Sequence, residues 1–434
     1  MTPAARTSSA ESAPGSKTGR LRWYICGLLF FATTVNYMDR QVLGILKPVL
    51  ARDLHWSEAD FGWIIFAFQL SYAFMMPVAG RVMDWLGTRF GYALAVLVWS
   101  LASMSHAFAR NVFQFGIARF GLGVGESANF PAAVKTVAEW FPRRERALAT
   151  GFFNSGSNLG ALAAPLLVPF VARAFGWRSA FLITGGLDLV WIAVWLAFYR
   201  SPREHRLLGG AELELIESDR DAAPVQRTSW SRLLARRGAW AILVAKFMTD
   251  PVWWFYLYWI PGFLNSQFHV NLTSLGPPLV VIYLSADVGS IAGGWCSSSL
   301  IKRGWSVNRA RKTAMLLCAV AVVSAVFIFA AKGNLWLTVA LVSIAAAAHQ
   351  GWSANVYTLA SDLFPRSSVG SVVGLAGFGG AIGGMLAAPA VGYWLDFSKG
   401  SYAPLFFVAG SMYLVALALV QLLAPKIPDS APNL

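Results

Sequence analysis

Long apolar runs, separated by charged or Gly- and Pro-containing stretches, constrain this chain more than any other feature. A helix needs about 20 mostly apolar residues to cross a bilayer. Of the 434 residues, 56% are hydrophobic and only 13% are charged, which excludes a soluble enzyme or a nucleic-acid binder. We therefore expect an all-α polytopic membrane protein. The twelve predicted transmembrane helices lie near 23–47, 59–80, 90–109, 112–138, 145–172, 178–199, 239–264, 275–300, 311–331, 336–360, 368–393 and 403–424.

The net charge of +14 indicates orientation rather than nucleic-acid binding. If the N-terminus is placed inside and residues near span ends are counted with the adjoining loop, the inner segments hold 25 Lys and Arg residues and the outer segments hold seven. The other three, Arg40, Arg119 and Lys246, lie within spans. This bias predicts that both termini are cytoplasmic. We expect a bacterial inner-membrane protein with cytoplasmic tails at 1–21 and 426–434. The first apolar run continues as a full-length span, so it does not resemble a cleavable signal peptide.

The loop that separates the first six spans from the last six predicts two halves, 22–200 and 238–425. The connecting segment 201–237 carries acidic residues at the spacing of a short surface helix. At an offset of 223 residues, Phe141-Pro142-Arg143 matches Phe364-Pro365-Arg366, and three glycines match three others. These pairs are Gly151 with Gly374, Gly156 with Gly379, and Gly160 with Gly383. We interpret the matches as a parallel repeat of two pseudo-symmetric six-helix bundles, with small residues for close helix packing.

A Gly-x-x-x-Asp-x-x-Gly-x-Arg pattern follows the second predicted span, formed by Gly80, Asp84, Gly87 and Arg89. It resembles the cytoplasmic loop motif of the major facilitator superfamily. In that motif a glycine allows close helix packing, and the acid lies near helix ends and basic partners that hold a gate shut. The counterpart in the second half has Ser298 where the acid would stand, so a matching charge lock is not expected there.

Several ionic side chains lie inside predicted spans, where an isolated charge costs about 3 kcal/mol. They are Asp39 and Arg40 in span one, Arg119 and Glu126 in span four, and Lys246 and Asp250 in span seven. Asn129, Asp287 and an aromatic run with Trp253, Trp254, Tyr256 and Tyr258 accompany them, as do Tyr283 and the segment His349-Gln350-Gly351-Trp352-Ser353-Ala354-Asn355. Arginine binds carboxylates in a bidentate manner, whereas amide, imidazole and phenol groups match hydroxyls. We therefore expect a polar organic anion as the ligand.

Structural alternatives stay open for these residues. The four ionic residues of spans one and four could form purely structural pairs, and Asp188 is interpreted as structural or interfacial. Lys246 is expected to extend toward the inner surface. His349 could be an ordinary interior histidine, and the aromatic run could be lipid-facing packing.

No cofactor or metal site is expected. Cys26, Cys296 and Cys318 lack pair or metal spacing, and the glycine clusters near Gly123 and Gly380 lack the strand and the Lys-Ser/Thr of a nucleotide loop. We also find no nucleophile–base set, and an enzyme is therefore not expected.

The combination of Asn36-Tyr37-Met38-Asp39-Arg40, the Arg119–Glu126 segment, Thr249-Asp250-Pro251-Val252-Trp253-Trp254 and His349-Gln350-Gly351-Trp352-Ser353 resembles the anion:cation symporter family within the major facilitator superfamily. Among its members it is most similar to bacterial hexuronate transporters. The resemblance covers about residues 22–425 and implies proton-coupled uptake of sugar acids such as galacturonate or glucuronate. It also implies that Asp39 and Glu126 are proton sites. It implies that Arg40, Arg119, Tyr72 and Trp352 lie at the anion or along the coupling path.

We expect alternating access in a monomer whose partners are a sugar-acid anion, protons and the lipid bilayer, with no nucleic acid. Substrate hydroxyls are expected to meet Tyr37, His349, Gln350 and Asn355, and Trp352 to stack on the sugar ring. Two alternatives remain: a symporter for aldonates or other organic anions, and a transporter-like sensor that binds sugar acids without moving them.

Overall fold

The computed structural model describes residues 19–218, 230–272, 274–331, 333–364 and 366–428. Residues 1–18 and 429–434 of the tails expected at 1–21 and 426–434, and positions 219–229 of the connecting segment, lie outside this part. The first half contains α1 (Leu21–Leu54), α2 (Glu58–Ser105), α3 (Val112–Glu126), α4 (Asn129–Trp140), α5 (Arg143–Phe175) and α6 (Trp177–Phe198). The connecting segment contains α7 (Gly210–Glu217) and α8 (Trp230–Leu234). The second half contains α9 (Arg237–Phe268), α10 (Gly276–Lys302), α11 (Val307–Val322), α12 (Leu335–Leu363), α13 (Arg366–Phe397) and α14 (Ala403–Leu423).

Eight helical stretches of the described residues are long and apolar enough to cross a membrane. The stretch Glu58–Phe108 is one of them and contains two of the predicted spans. Helices α1 and α9 are not among the eight, and both carry buried ionic side chains that lower their apolar character. The all-α membrane fold is confirmed, whereas the count of twelve spans is not shown in full by length and composition.

Three of the predicted spans differ in detail from the observed helices. Spans 59–80 and 90–109 are joined through Gly87, whose φ of 73° and ψ of 161° interrupt the helical geometry of α2. This positive φ favours glycine because it has no Cβ. The predicted span 112–138 is divided into α3 and α4, and at the division Ser127 Oγ donates to the carbonyl of Val124 at 2.7 Å. A serine hydroxyl that bonds the backbone in this way competes with regular helical hydrogen bonding.

The predicted repeat is visible in how the helices of each half pack. In the first half α1 packs against α5, and in the second α9 packs against α13. A Cβ added at Gly156 or Gly160 would collide with backbone carbonyls of α1, and one added at Gly379 or Gly383 would meet backbone carbonyls of α9. Two of the three glycine pairs that match at the offset of 223 therefore make equivalent close helix contacts, whereas Gly151 and Gly374 both have open space around an added Cβ.

The two halves meet through α2 with α13 and through α5 with α10. A Cβ at Gly62 would lie 2.6 Å from the carbonyl oxygen of Ala388, and one at Gly276 would lie 2.9 Å from that of Pro165. Positions 165 and 388 differ by the same offset of 223. Each half therefore presents an equivalent carbonyl to a glycine of the other half, and the backbones approach closely at both contacts.

Hydrogen bonds close one end of this interface, the end that contains Ser57. The Asp396 carboxylate on α13 accepts from the backbone nitrogens of Glu58 and Ala59 on α2, at 2.9 and 2.8 Å. Glu58 Oε2 also pairs with Lys47 Nζ at 2.5 Å and accepts from Trp259 Nε1 of α9 at 3.2 Å. We call Lys47, Glu58, Trp259 and Asp396 the inter-half latch.

The connecting segment is fastened to the first half. The short helix expected in 201–237 is α7, but its Glu212 is only 1% exposed rather than on the surface. Glu212 accepts from the backbone nitrogens of Leu21 and Arg22 at 3.2 Å each, and from Arg22 Nη1 at 2.8 Å. Arg22 also pairs with Glu145 at 2.8 Å. Glu212 is stabilised in this buried position because it accepts hydrogen bonds from backbone N–H groups at the start of α1, which have no partner within the helix.

Candidate functional site

A buried ion pair joins α1 and α3 in the first half. Arg40 donates to Glu126 Oε2 through Nη2 at 2.7 Å and through Nε at 3.0 Å, and the two side chains are 4% and 0% exposed. Glu126 Oε1 has no hydrogen-bond partner among the described residues. Breaking such a pair by neutralising one partner leaves an uncompensated buried charge on the other. The state of Glu126 therefore decides whether Arg40 is occupied or available.

Aromatic rings surround the Arg40 guanidinium. Its central carbon lies 4.8 Å from the ring centre of Tyr37, 5.0 Å from Tyr72 and 5.2 Å from Phe68. The ring of Trp254, on α9 of the second half, lies 5.7 Å away. Rings favour a cation over their faces. Arg40 therefore lies where the two halves meet, with Tyr37 and Tyr72 beside it.

Arg119 is a second buried cation of the first half. It is 1% exposed, and none of its three guanidinium nitrogens has a hydrogen-bond partner among the described residues. Its charge interacts with those of Glu126, Asp39 and Arg40 and with the hydroxyl of Tyr258. A buried guanidinium carries five N–H donors, and leaving them unsatisfied is costly. Arg119 is therefore suited to receive an anionic ligand.

Asp39 lies deeper in the first half than Arg40. Its Oδ1 accepts from Ser103 Oγ at 2.8 Å, and the residue is 1% exposed. Asn129, which follows Glu126 on the same face, accepts from the hydroxyl of Tyr92 at 2.5 Å. Asn129 is therefore bonded inside the first half in this structure.

In the second half, Lys246 forms a second buried ion pair. Its Nζ lies 2.8 Å from Asp250 Oδ1 and 2.9 Å from Ser353 Oγ, and it lies 4.4 Å from the ring centre of Tyr357. The expectation that Lys246 extends toward the surface is wrong. A carboxylate, a hydroxyl and a ring face together solvate the ammonium group inside the bundle, so it need not reach water.

His349 lies beside this pair and is held on two sides. Its Nδ1 hydrogen-bonds the hydroxyl of Tyr413, and its ring stacks on Trp253 with centroids 5.2 Å apart and planes 4° apart. Its charge state interacts with that of Lys246. Gln350, the next residue, is partly buried. His349 is therefore a fixed group of the second half.

Trp352 and Asn355 face the interior of the second half in this conformation. The Trp352 ring is fully buried and meets Tyr413 edge to face, with ring centroids 5.5 Å apart. Asn355 Nδ2 donates to the carbonyls of Gly293 at 3.0 Å and Gly351 at 2.9 Å. Asn355 therefore joins α12 to α10, and Trp352 packs within the second half.

Tyr357 is a residue of this region that the sequence argument missed. It is 38% exposed on α12 and interacts with both Lys246 and, across the two halves, Tyr37. The signal was its spacing, because residues three or four and seven positions apart share a helix face. Tyr357 lies seven residues after Gln350 and four after Ser353. Asp287 of α10, which the sequence analysis named together with the ionic residues of the spans, is only partly buried.

The Gly80–Arg89 motif lies at the end of the bundle away from the latch. Asp84 Oδ1 pairs with Lys135 of α4 at 2.8 Å, and Arg89 Nη2 donates to the carbonyl of Leu196 at 2.6 Å. A Cβ at Gly80 would meet nothing within 4 Å. The expected close packing at Gly80 is therefore not made in this conformation. The motif lines a cleft of about 620 Å³ between α2 and α4.

The described residues contain no group of three or more His, Cys, Asp and Glu side chains that could hold a metal ion. The site chemistry therefore consists of buried arginines, carboxylates, a lysine and aromatic rings. Such a set can bind an anion and exchange protons at carboxylates.

Comparison with known proteins gives a consistent result. The family model described as Major Facilitator Superfamily matches residues 29–388 and 300–434. The chain is 34% identical over 394 residues to a hexuronate transporter of Escherichia coli (strain K12), covering 89% of this chain and 90% of that protein. It is 37% identical over 292 residues to a galacturonate transporter of Dickeya chrysanthemi, covering 66% and 84%.

The fold is also that of a solved bacterial homologue of the human lysosomal transporter Spinster, in an inward-facing and occupied conformation. The TM-score is 0.75 at 19% identity, over 97% of this chain and all of that one. Fold, site and relatives together define a polytopic membrane transporter rather than an enzyme. The chain belongs to the Major Facilitator Superfamily.

Proposed function

We propose that this protein is a proton-coupled symporter that imports sugar-acid anions, foremost hexuronates such as galacturonate and glucuronate, by alternating access. It works as a monomer in a bacterial inner membrane with both termini in the cytoplasm. The similarity to the hexuronate and galacturonate transporters, at 34% and 37% identity, supports this substrate class.

The observation that carries the proposal is the unsatisfied guanidinium of Arg119 next to the Arg40–Glu126 pair. A carboxylate that enters between the halves would supply the acceptors that Arg119 lacks. Arginine binds a carboxylate through two parallel hydrogen bonds, so a sugar acid is preferred over the neutral sugar. Two buried arginines also disfavour cationic substrates.

Proton coupling follows from competition for Arg40. While Glu126 is ionised, it occupies Arg40 through two hydrogen bonds. Protonation of Glu126 weakens this pair and frees Arg40 for the substrate carboxylate, and Asp39 acts as the second proton site. The proton and the substrate anion then favour the same state of the protein, which is the condition for coupled transport. Release of the protons to a more alkaline cytoplasm restores the Arg40–Glu126 pair and displaces the anion.

The remaining candidate residues suit the sugar part of the ligand. Aromatic faces pack on the apolar face of a sugar ring, and Trp254 is the indole closest to Arg40 across the two halves. We propose Trp254 as the stacking residue in this conformation, because Trp352 is buried within the second half. The groups proposed to hydrogen-bond substrate hydroxyls are Tyr37, Tyr72, His349, Gln350 and Asn355.

The conformation fits an inward-facing carrier. With the predicted orientation, the inter-half latch lies on the outer side and holds that side closed. On the inner side, Asp84 is paired with Lys135 of its own half. We propose that Gly80, Asp84, Gly87 and Arg89 form the inner gate and engage the second half when the latch opens.

The test is uptake of labelled galacturonate into proteoliposomes, with an inward proton gradient and with the gradient collapsed. We expect gradient-driven uptake that glucuronate inhibits and a neutral hexose does not. Glu126→Gln should abolish accumulation yet retain exchange of labelled for unlabelled substrate without a gradient, because a neutral side chain mimics the protonated state. The matched control is Glu204→Gln, at an exposed glutamate of the connecting segment.

Three results would contradict parts of the proposal. Equal gradient-driven accumulation by wild type and Glu126→Gln would remove Glu126 from coupling. Preference for galactonate over both hexuronates would move the substrate class to aldonates. Galacturonate binding without any flux would identify a sensor rather than a carrier.

A further inference from the structure

A second carboxyl group, that of Asp188 on α6, lies against Asp39 on α1. The two carboxyl groups lie close enough to share a hydrogen bond, which can form only if one of them carries a proton. They are 1% and 0% exposed. The sequence argument assigned Asp188 a structural or interfacial role, since nothing in the spacing of α1 and α6 places it beside Asp39.

The surrounding donors do not satisfy the pair. Ser103 Oγ donates to Asp39 Oδ1 at 2.8 Å. Asp39 Oδ2 and both oxygens of Asp188 accept no well-formed hydrogen bond from the described residues, although Thr184 and Trp99 lie nearby. Three buried carboxylate oxygens that lack a well-formed hydrogen bond are costly. A proton placed between the two acids supplies the missing donor.

The balance of charges in the first half also requires one proton. Its central cluster contains two buried cations, Arg40 and Arg119, and three buried acids, Glu126, Asp39 and Asp188. With all acids ionised, the cluster would carry an uncompensated negative charge in a low-dielectric interior, which is strongly disfavoured. One proton makes it neutral. Because Glu126 already accepts two hydrogen bonds from Arg40, the Asp39–Asp188 pair is where this proton fits.

The other titratable groups around the pair of acids do not change the charge balance of the cluster. Tyr92 of α2 and Glu126 of α3 face Asp188, and Arg119 of α3 faces Asp39. A tyrosine hydroxyl is neutral at physiological pH.

We propose that Asp39 and Asp188 form one protonation site, which holds a shared proton in the resting carrier and binds a second proton during transport. This inference rests on the proposed proton-coupled function and deepens it. Two carboxyl groups in contact release their protons in two steps that belong to the pair rather than to either residue. When the second proton binds, the pair is neutral and no longer balances Arg119, which is then free for a substrate carboxylate. Asp188 is a positioning and proton-sharing residue and does not contact substrate.

The test is the pH profile of substrate exchange in proteoliposomes for wild type, Asp188→Asn and Asp53→Asn. Asp53 is an exposed residue on the same helix as Asp39 and serves as the matched control. If Asp188 holds the shared proton, Asn replaces its O–H donor by a weaker N–H donor. The Asp39 anion is then less stabilised, so the midpoint of the pH profile of exchange should move to higher pH by about half a unit or more. The Asp53→Asn midpoint should equal that of wild type.

The direction in which the midpoint moves distinguishes a shared proton from an Asp188 that is ionised. If Asp188 were ionised beside Asp39, its neutralisation would remove a repulsion and move the midpoint downward. A downward shift, or an unchanged midpoint, overturns the proposal. Retention of exchange by Asp188→Asn also distinguishes a shifted proton site from a damaged fold.

A second measurement does not depend on transport or on the stability of the single variant. Infrared spectroscopy of the purified, substrate-free wild type should show the C=O band of a buried protonated carboxyl group at neutral pH. The band should be absent from Asp39→Asn/Asp188→Asn, and its presence in that double variant overturns the proposal. A wild type that shows the band but no gradient-driven uptake would refute the proposed symport while leaving the shared proton in place.

Discussion

The inter-half latch gives a quantitative prediction about which side of the carrier is open. Asp396 of α13 accepts from the first two backbone nitrogens of α2, at 2.9 and 2.8 Å, so it caps a helix of the other half. Loss of a helix-capping acceptor costs about 1 kcal/mol, and loss of a favourable charge at the helix N-terminus adds about 0.3–1 kcal/mol. Because Asp396 is exposed to solvent, we take the total as about 1.5 kcal/mol.

This free energy is available only when the latched end is closed. Asp396→Ala should therefore shift the equilibrium between the two open states by about tenfold toward the state open at this end, since 1.4 kcal/mol corresponds to a factor of ten. Double electron–electron resonance between spin labels at Asp53 and Gln267, which are both exposed at this end, would measure the two populations in a background without the native cysteines.

A control on the same helix end separates capping within one half from capping across the halves. Asp60 Oδ2 accepts from the backbone nitrogen of Ser57 at 3.0 Å, and Ser57 Oγ accepts from that of Asp60 at 3.0 Å. This capping box lies within α2 and its own N-cap, so Asp60→Ala should lower stability in both states alike and leave the distance distribution unchanged. An unshifted distribution for Asp396→Ala, or an equal shift for Asp60→Ala, would refute the assignment of the latch.

Three further outcomes are expected. Gly160→Ala should destabilise the protein by about 1–3 kcal/mol, because its Cβ would collide with a carbonyl of α1, whereas Gly151→Ala, with open space around its Cβ, should not lower the melting temperature. Lys246→Ala should cost about 3–5 kcal/mol by leaving Asp250 buried and unpaired, and Lys246→Met combined with Asp250→Leu should recover most of the loss in the same unfolding assay. Arg119→Lys should raise the KM for galacturonate in uptake assays by tenfold or more, since Lys lacks the bidentate geometry; an unchanged KM would exclude Arg119 from the anion site.

Much of the fold follows from patterns that a single sequence carries. Apolar runs of spanning length lead directly to membrane helices, because every backbone polar group in a bilayer must be bonded within its own segment. The glycine matches at the offset of 223 also had a direct structural counterpart, since Gly156 and Gly379 both face carbonyls of the neighbouring helix. Local geometry was harder to anticipate. The division of α3 from α4 falls at Ser127 and Ala128, inside one continuous predicted span.

The candidate site was partly accessible for the same reason. Buried charges are expensive in a membrane, so Arg40, Arg119 and Glu126 stood out by residue type and position alone. Which charged groups pair with each other did not stand out. Lys246 looked able to reach the surface until Asp250, one helical turn away, and Ser353, on another helix, were seen to hold it inside.

Sequence alone thus determined the membrane class, the two-fold repeat and the identity of the intramembrane ionic residues, because these depend on composition, periodicity and cost of burial along one chain. Only the tertiary structure decided which charges pair, which remain unsatisfied, and which end of the bundle is closed. Those properties depend on side chains from helices far apart in sequence, such as Asp39 with Asp188 and Glu58 with Asp396. Contacts of this kind arise from packing, and no spacing rule within one helix records them.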